Sequence, residues 1–317
     1  MEASFVGIDV SKDRLDVAVH PQAESFAVSR DAGGLHALNQ RLVALNPALV
    51  ILEATGGYES IVAASLAAAG LPMVVVNPAQ VRAFALALGK RAKSDPIDAA
   101  VIARFGAATR PSPRPLPDAE TTRLSDLLGR RSQIIAMMSA ERQRQKRLTE
   151  PRSQRSIARL LTALQKELAT IDAEIDDAVR GSPAWQAKED LLASVPGVGK
   201  TIARTLIAEL PELGSLDRRA IAALAGLAPW TRQSGQWKGK SFIGGGRVRV
   251  RGALFMGAMV AARHNPALKV FRDRLLAAGK PKLVALIAVA RKLLTILNAV
   301  LRDSIPWQEA RHASTSN

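Results

Sequence analysis

A chain of 317 residues with 48% hydrophobic side chains is long enough for two packed domains and too apolar for a disordered tail. Its 44 Lys and Arg against 28 Asp and Glu leave a net charge of +16, which suits a polyanion, either nucleic acid or an anionic membrane surface. With no cysteine, disulfides and thiolate metal sites are excluded, and a reducing, cytoplasmic compartment is compatible.

In chain order, the opening MEASFVGIDV lacks the basic segment of a signal peptide, so none is expected. Phe5–Val10 and Leu15–Val19 are β-branched runs around a short polar turn, which predicts a hairpin; Glu24–Ser29 is a candidate third strand. Leu35, Leu38, Leu42 and Leu45 fall on one helical face. Ala48–Leu52 reads as a buried strand ending at Glu53, and 59–69 as an alanine-rich helix. Met73–Val76 reads as another strand and Pro78–Leu88 as a helix. A basic loop with Lys90, Arg91 and Lys93 then leads into a helix with Asp95 as N-cap and Pro96 at its first position. Three hairpin-linked strands followed by crossovers predict a mixed sheet with helices packed on it, in the order of the ribonuclease H-like fold. That order sets the first and fourth strands side by side, and with them Asp9 and Glu53.

The proline-dense segment 110–117 reads as a domain boundary. The expected organisation is 1–112, an α/β domain; 113–180, a helical linker; 181–305, a mostly α-helical domain; and 306–317, a polar tail. In the linker, Ile157, Leu161, Leu164, Leu168, Ile171 and Ile175 recur at alternating spacings of four and three, an a/d seam that fits an intramolecular hairpin or a dimeric coiled coil equally well. Seven basic residues and one acid between Arg142 and Arg159 make either a solvated face or a phosphate-tracking one; Arg142, Arg144, Lys146 and Arg147 are its candidates. Beyond it, Pro196-Gly-Val-Gly199 joins two helical segments as in a helix-hairpin-helix, where Gly197, Gly199 and Lys200 would meet a phosphate. A P-loop is excluded, because the required first glycine is Ser194. From Pro229 to Arg251 there are six basic residues (Arg232, Lys238, Lys240, Arg247, Arg249, Arg251), no acid and no hydrophobic period. Such a loop is more often functional than accidental, and Gly244–Gly246 lets backbone approach a ligand. The apolar stretch Leu283–Leu301 is broken by Arg291 and Lys292 and reads as a buried helix, so no membrane partner is expected.

Four acids stand out. Asp9 lies inside an apolar run, where a charge needs a partner or a cation. Glu53 ends a strand, and Asp95 and Asp98 are spaced to share one helix face. Together they suit Mg²⁺ or Mn²⁺, which take oxygen ligands and, in pairs ~3.5–4 Å apart, clamp both oxygens of a phosphoryl displacement. Singly, each has a bland role as a helix cap or ion-pair partner. Ser234, in Arg232-Gln-Ser-Gly, has basic neighbours suited to a nucleophile attacking phosphorus, yet on its residues alone a loop serine is usually just a loop serine.

Taken together, FVGIDVSKDRLDV (5–17), ILEATGGY (51–58), KSDPIDAA (93–100) and the distal PGVGKTIA, LAGLAPW and RQSG blocks resemble the DEDD-type insertion-sequence transposases, a family that includes Piv-type DNA invertases and bridge-RNA-guided recombinases. The resemblance covers nearly the whole chain in order. It implies a RuvC-like first domain with Asp9, Glu53, Asp95 and Asp98 holding Mg²⁺, a coiled-coil linker, and a C-terminal domain whose Ser234 forms a transient phosphoserine link to DNA. It further implies a structured non-coding RNA specifying target and donor DNA, and composite sites shared between protomers of a dimer that assembles to a tetramer. Two other readings compete: a junction-resolving nuclease using metal-bound water, and a non-catalytic nucleic-acid-binding protein.

Overall fold

A computed structural model describes residues 3–308 except 55, 91–94, 114, 115, 117, 232, 236 and 240, and omits the side chains of Asp95, Pro96, Gln233, Trp237 and Lys238. The chain divides into two compact units, Met1–Pro117 and Asp118–Asn317.

The first unit is a five-stranded mixed sheet. Its elements are β1 (Phe5–Val10), β2 (Arg14–His20), β3 (Glu24–Ser29), α1 (Ala32–Leu45), β4 (Leu49–Glu53), α2 (Glu59–Ala68), β5 (Met73–Val76), α3 (Pro78–Ala87) and α4 (Asp95–Thr109). The strands lie in the order β3-β2-β1-β4-β5, with β1, β2 and β3 antiparallel and β1, β4 and β5 parallel. This is the order expected from the sequence, with β1 central. α4 begins at Asp95 rather than after it; a proline one position later still needs no N–H partner there.

Each strand alternates between two cores, as period-2 side chains must. Val6, Ile8, Val10, Leu15, Val17, Val50 and Leu52 pack with Leu38, Leu42, Val62 and Leu66 on the α1/α2 face. Phe5, Ile51, Val74 and Val76 pack with Val81, Ile102 and Phe105 on the α3/α4 face. On that second face α4 lies directly on the sheet. A Cβ at Gly7 would stand 2.3 Å from Ala99 O and from Ala103 N, and one at Gly106 would stand 2.2 Å from Ile51 Cδ1.

The second unit is helical. α5 (Ala119–Arg147) and α6 (Pro151–Arg180) are joined by three residues and pack on each other through Leu124, Leu128, Ile134, Leu161, Ile171 and Ile175. Of the α6 seam, Leu161, Ile171 and Ile175 are buried in this packing and Ile157, Leu164 and Leu168 are half-buried. α7 (Pro183–Ala193), α8 (Lys200–Glu209) and α9 (Arg218–Leu224) follow. After them come the two-residue strands β6 (Gln233–Ser234) and β7 (Trp237–Lys238), then α10 (Val248–His264), α11 (Pro266–Ala277) and α12 (Lys282–Asp303). By length and composition α12 is apolar enough to cross a membrane. Here Ala285, Val289, Leu293, Leu294, Leu297 and Val300 are its buried side, packed with α8 and α10 residues in the unit's largest core. Asn298 on α12 accepts from Gly214 N at 2.8 Å and donates to Leu216 O at 2.8 Å, fixing the turn after α8.

Carboxylates cap four helices: Asp31 for α1, Asp118 for α5, Glu150 for α6 and Asp217 for α9. The backbone N–H groups of the first turn hold all four below the usual carboxylate range. A depressed folded-state pKa means the stabilisation is complete above the unfolded value, roughly pH 4, and is lost as pH falls through the folded value. Thermal midpoints are therefore expected to hold from pH 7 to about 5 and fall below pH 4. Asp118→Asn, which still caps but does not titrate, should flatten part of that fall. The α4 contact yields a second expectation. Gly7→Ala forces a methyl into α4 backbone, which no rotamer change relieves, and should cost about 1–3 kcal/mol in chemical denaturation.

Candidate nucleic-acid cleavage site

The β1/β4 register settles where two of the candidate acids stand. Gly7 pairs with Ile51 and Ile8 with Leu52, so the next step along both strands brings Asp9 abreast of Glu53. Adjacent strands lie ~4.8 Å apart. Two residues past Gly7 and Ile51, both acids face the side covered by α4. Asp98 belongs to the first turn of that helix, next to the Ala99 that overlies Gly7. All three acids are half-buried, and none is without a partner. The side chain of Asp95 lies outside the described residues.

A further acid stands in the same row. Asp16 on β2 is directly opposite Asp9 in the antiparallel ladder, on the same face of the sheet. It is buried, 4% exposed, and its carboxylate is gripped by the Arg14 guanidinium, with Nε donating to Oδ2 at 3.1 Å and Nη2 to Oδ1 at 2.8 Å. Asp16, Asp9 and Glu53 therefore run across three neighbouring strands. Like charges placed directly opposite repel, so the row needs a compensating cation, and Arg14 is one. Asp16 went unremarked in the sequence although it interrupts Leu15–Val19 just as Asp9 interrupts its own run. The donors are all hard carboxylate oxygens, the chemistry of Mg²⁺ or Mn²⁺. Among the described residues, however, no three acidic or histidine side chains converge closely enough to enclose an ion.

Ser234 is placed by a different device. The loop after α9 is pinned at its base. Leu227 N and Ala228 N donate to Ala222 O, Arg247 N donates to Leu224 O at 2.9 Å, and Trp230 and Phe242 bridge through their backbones. Above this base, β6 and β7 form a hairpin in which Ser234 faces Trp237 across a two-residue turn. Gly235 takes φ +56° there, the left-handed value such turns require. Ser234 is exposed beside the turn.

In the glycine run, Gly244 and Gly245 are open, whereas Gly246 packs within the chain. A Cβ on Gly246 would lie 2.3 Å from Gly226 N, and one on Gly226 would lie 2.2 Å from Gly245 O, so the close approach is between two parts of this chain. Gly197, at φ +104°, is likewise required by α10: its Cβ would meet Ala261 Cβ at 2.5 Å. Gly199 caps α8 without a side chain, and Lys200 beside it points its ammonium toward Glu189 at 4.0 Å.

Several basic candidates are engaged within the chain. Arg247 donates to Glu212 Oε1 at 2.7 Å and to Glu209 O at 3.0 Å, Arg249 pairs with Glu209 at 2.9 Å, and Arg251 donates to Gly245 O. Arg247 thus holds the loop base, and its exposed basic surface is correspondingly less than its sequence suggests. Arg142, Arg144, Lys146 and Arg147 are exposed along the last turns of α5, with Arg144 paired to Glu141 and the cluster favourably placed at the negative end of the helix dipole. Lys90 is exposed after α3. Arg91, Lys93, Arg232 and Lys240 lie outside the described residues, as does the side chain of Lys238. A buried ion network also escaped the sequence: Arg204 on α8 reaches Glu189 on α7 and Asp176 on α6, each at 2.6 Å. The Arg204 guanidinium holds Asp176 below the usual carboxylate range.

Residues 6–150 match a family described as "Transposase", of DEDD and IS110 type, and residues 189–272 match the "Transposase IS116/IS110/IS902 family". The pilin gene-inverting proteins of Moraxella lacunata and Moraxella bovis are each 30% identical over 326 aligned residues, covering 98% of this chain and 100% of theirs. An uncharacterised 43.6 kDa protein of insertion element IS110 from Streptomyces coelicolor is 33% identical over 47% of this chain and 36% of its own. Among solved structures, Thermus thermophilus RuvC bound to a Holliday junction substrate aligns over 36% of this chain and 99% of its own, at 18% identity and a TM-score of 0.27. The strand order, rather than that likeness, carries the fold.

The row of acids makes a stability prediction. Asp16→Ala removes the partner of Arg14 and a buried carboxylate, and is expected to lower unfolding free energy by about 1–3 kcal/mol. Asp16→Asn, which also relieves repulsion with Asp9, should cost less than Asp16→Ala in the same urea titration.

Proposed function

Because the chain belongs to the insertion-sequence transposase family of IS110 and the pilin gene-inverting proteins, cutting and rejoining DNA, we propose that it does so through Ser234, with Mg²⁺ at the carboxylates and a non-coding RNA as guide. The observation that carries this reading is the placement of Ser234: exposed beside a tight turn, on a hairpin whose base is pinned, in a stretch with six basic residues and no acid.

The chemistry asks several things of the chain. As Ser234 Oγ bonds to phosphorus, its proton must leave and a deoxyribose oxygen must depart, giving a phosphoserine link that a DNA hydroxyl later reverses. Exposure beside a turn gives the hydroxyl room for an in-line approach. Arg232, Lys238 and Lys240 surround it in sequence and would steady charge on the phosphate oxygens. Asp9, Glu53, Asp95 and Asp98 would hold Mg²⁺, which when bound supplies further neutralisation of the phosphate. The register of β1 and β4 supports this set, and Asp16 with Arg14 adds charge balance beside it.

In keeping with the family resemblance, the proposal has each composite site drawn from two protomers, in a dimer assembling to a tetramer. The exposed basic turns of α5 are offered as a nucleic-acid contact; binding is then steeply salt-dependent, as counterion release requires.

The test is a strand-exchange assay on a plasmid carrying the coding region with its native flanks. Ser234→Ala is expected to reduce exchange at least about 10³-fold, and Asp9→Asn to abolish cleavage while leaving RNA copurification intact. Normal exchange by Ser234→Ala would transfer the chemistry to metal-bound water. Absence of any specific copurifying RNA would remove the guide.

A further inference from the structure

The loop that carries Ser234 has an aromatic feature with no part in the chemistry above. Trp230 and Phe242 face each other across the backbone bridge at the base of the hairpin, with Trp230 N donating to Phe242 O at 2.7 Å and Phe242 N to Trp230 O at 3.2 Å. Their rings stack at a centroid distance of 6.3 Å and an interplanar angle of 17°. Both remain in solvent, Trp230 60% exposed and Phe242 46%. Aromatic residues make up only 4% of this chain. A cross-strand pair steadying the hairpin accounts for the contact between the rings. It does not account for leaving so much of an indole in water, where burial is strongly favoured.

We infer that Trp230, backed by Phe242, is a stacking platform for one unpaired DNA base beside the phosphate attacked at Ser234. Three observations select this occupant. The platform is flat and apolar, and every nucleobase has a π-face to lay on it. It lies in a stretch of six basic residues and no acid, which complements a phosphodiester strand and disfavours an acid-free apolar partner. Trp230 is four residues from Ser234, at most roughly 14 Å of extended chain. That reach keeps the platform within a few nucleotides of the phosphate at Ser234. A base held there would be kept out of the duplex during strand exchange, when pairing must be broken and remade. The inference rests on the proposed DNA-joining role for its meaning, and its test is separable from the test of the serine.

The experiment measures anisotropy of a fluorescein-labelled 20-mer oligo-dT, a 20-bp duplex and a 20-mer oligo-U with the full-length protein and four variants. Trp230→Ala is expected to weaken oligo-dT binding roughly 5- to 150-fold, with duplex affinity changed less than about twofold. Phe242→Ala should give a smaller loss of the same kind. Trp230→Phe, which keeps a stacking face, should restore most of the affinity. Val270→Ala, exposed on α11 and outside this loop, should bind oligo-dT like the parent, and because the assay reads binding alone, a failure of the serine chemistry leaves this result standing. Unchanged oligo-dT binding by Trp230→Ala overturns the platform. So does an equal loss on duplex and single strand, which would mark a general electrostatic or structural defect. A loss confined to oligo-U would overturn the assignment to DNA.

Discussion

Everything at the candidate metal face depends on how closely α4 lies against β1. Gly7 has no side chain, and Ala99 and Ala103 are the residues above it; any Cβ at Gly7 would enter α4 backbone. That approach sets the depth at which α4 crosses the sheet and the height of Asp98 relative to Asp9. Packing density in protein interiors leaves little room to adjust such a contact. A second close approach, Gly106 on Ile51, fixes the far end of the same helix over β4. The helix is therefore held at two points, over Gly7 of β1 and over Ile51 of β4, with Asp98 next to the Ala99 that overlies Gly7.

The second unit uses the same economy for a different purpose. Arg204 ties α6, α7 and α8 together from within, Asn298 locks the following turn to α12, and Gly226 and Gly246 let the loop close on itself. Each contact stiffens the ground from which the hairpin rises. A nucleophile of the kind proposed for Ser234 gains precision on a short hairpin only if the base of that hairpin does not move, and Arg247 with Glu212 supplies much of that restraint.

What could be read in the sequence was whatever follows from local pattern. Apolar, β-branched runs at 5–10, 15–19 and 48–52 give strands, an acid in an apolar run marks Asp9, and apolar spacing gives α1 and α6. The element order was enough to place β1 beside β4. What could not be read required a distant partner. Arg247 and Arg249 are candidate phosphate ligands by sequence; their ion pairs with Glu212 and Glu209, from α8 and its turn, are not visible there. Of Gly244–Gly246, only Gly246 is closed in by Gly226, a contact no local pattern announces. Asp16 carries the same local signal as Asp9 and was legible; only its position opposite Asp9 gives that signal meaning. The short hairpin under Ser234 has too few residues for any period to register.

The most direct measurement is to trap the protein–DNA link. The protein, coexpressed with its native flanking DNA and supplied with Mg²⁺, is quenched in denaturant, treated with nuclease and protease, and analysed by mass spectrometry. A nucleotide adduct is expected on the peptide containing Ser234, absent in the Asp9→Asn protein. Cleaved DNA with no adduct on any peptide, or an adduct on another side chain, would contradict the account.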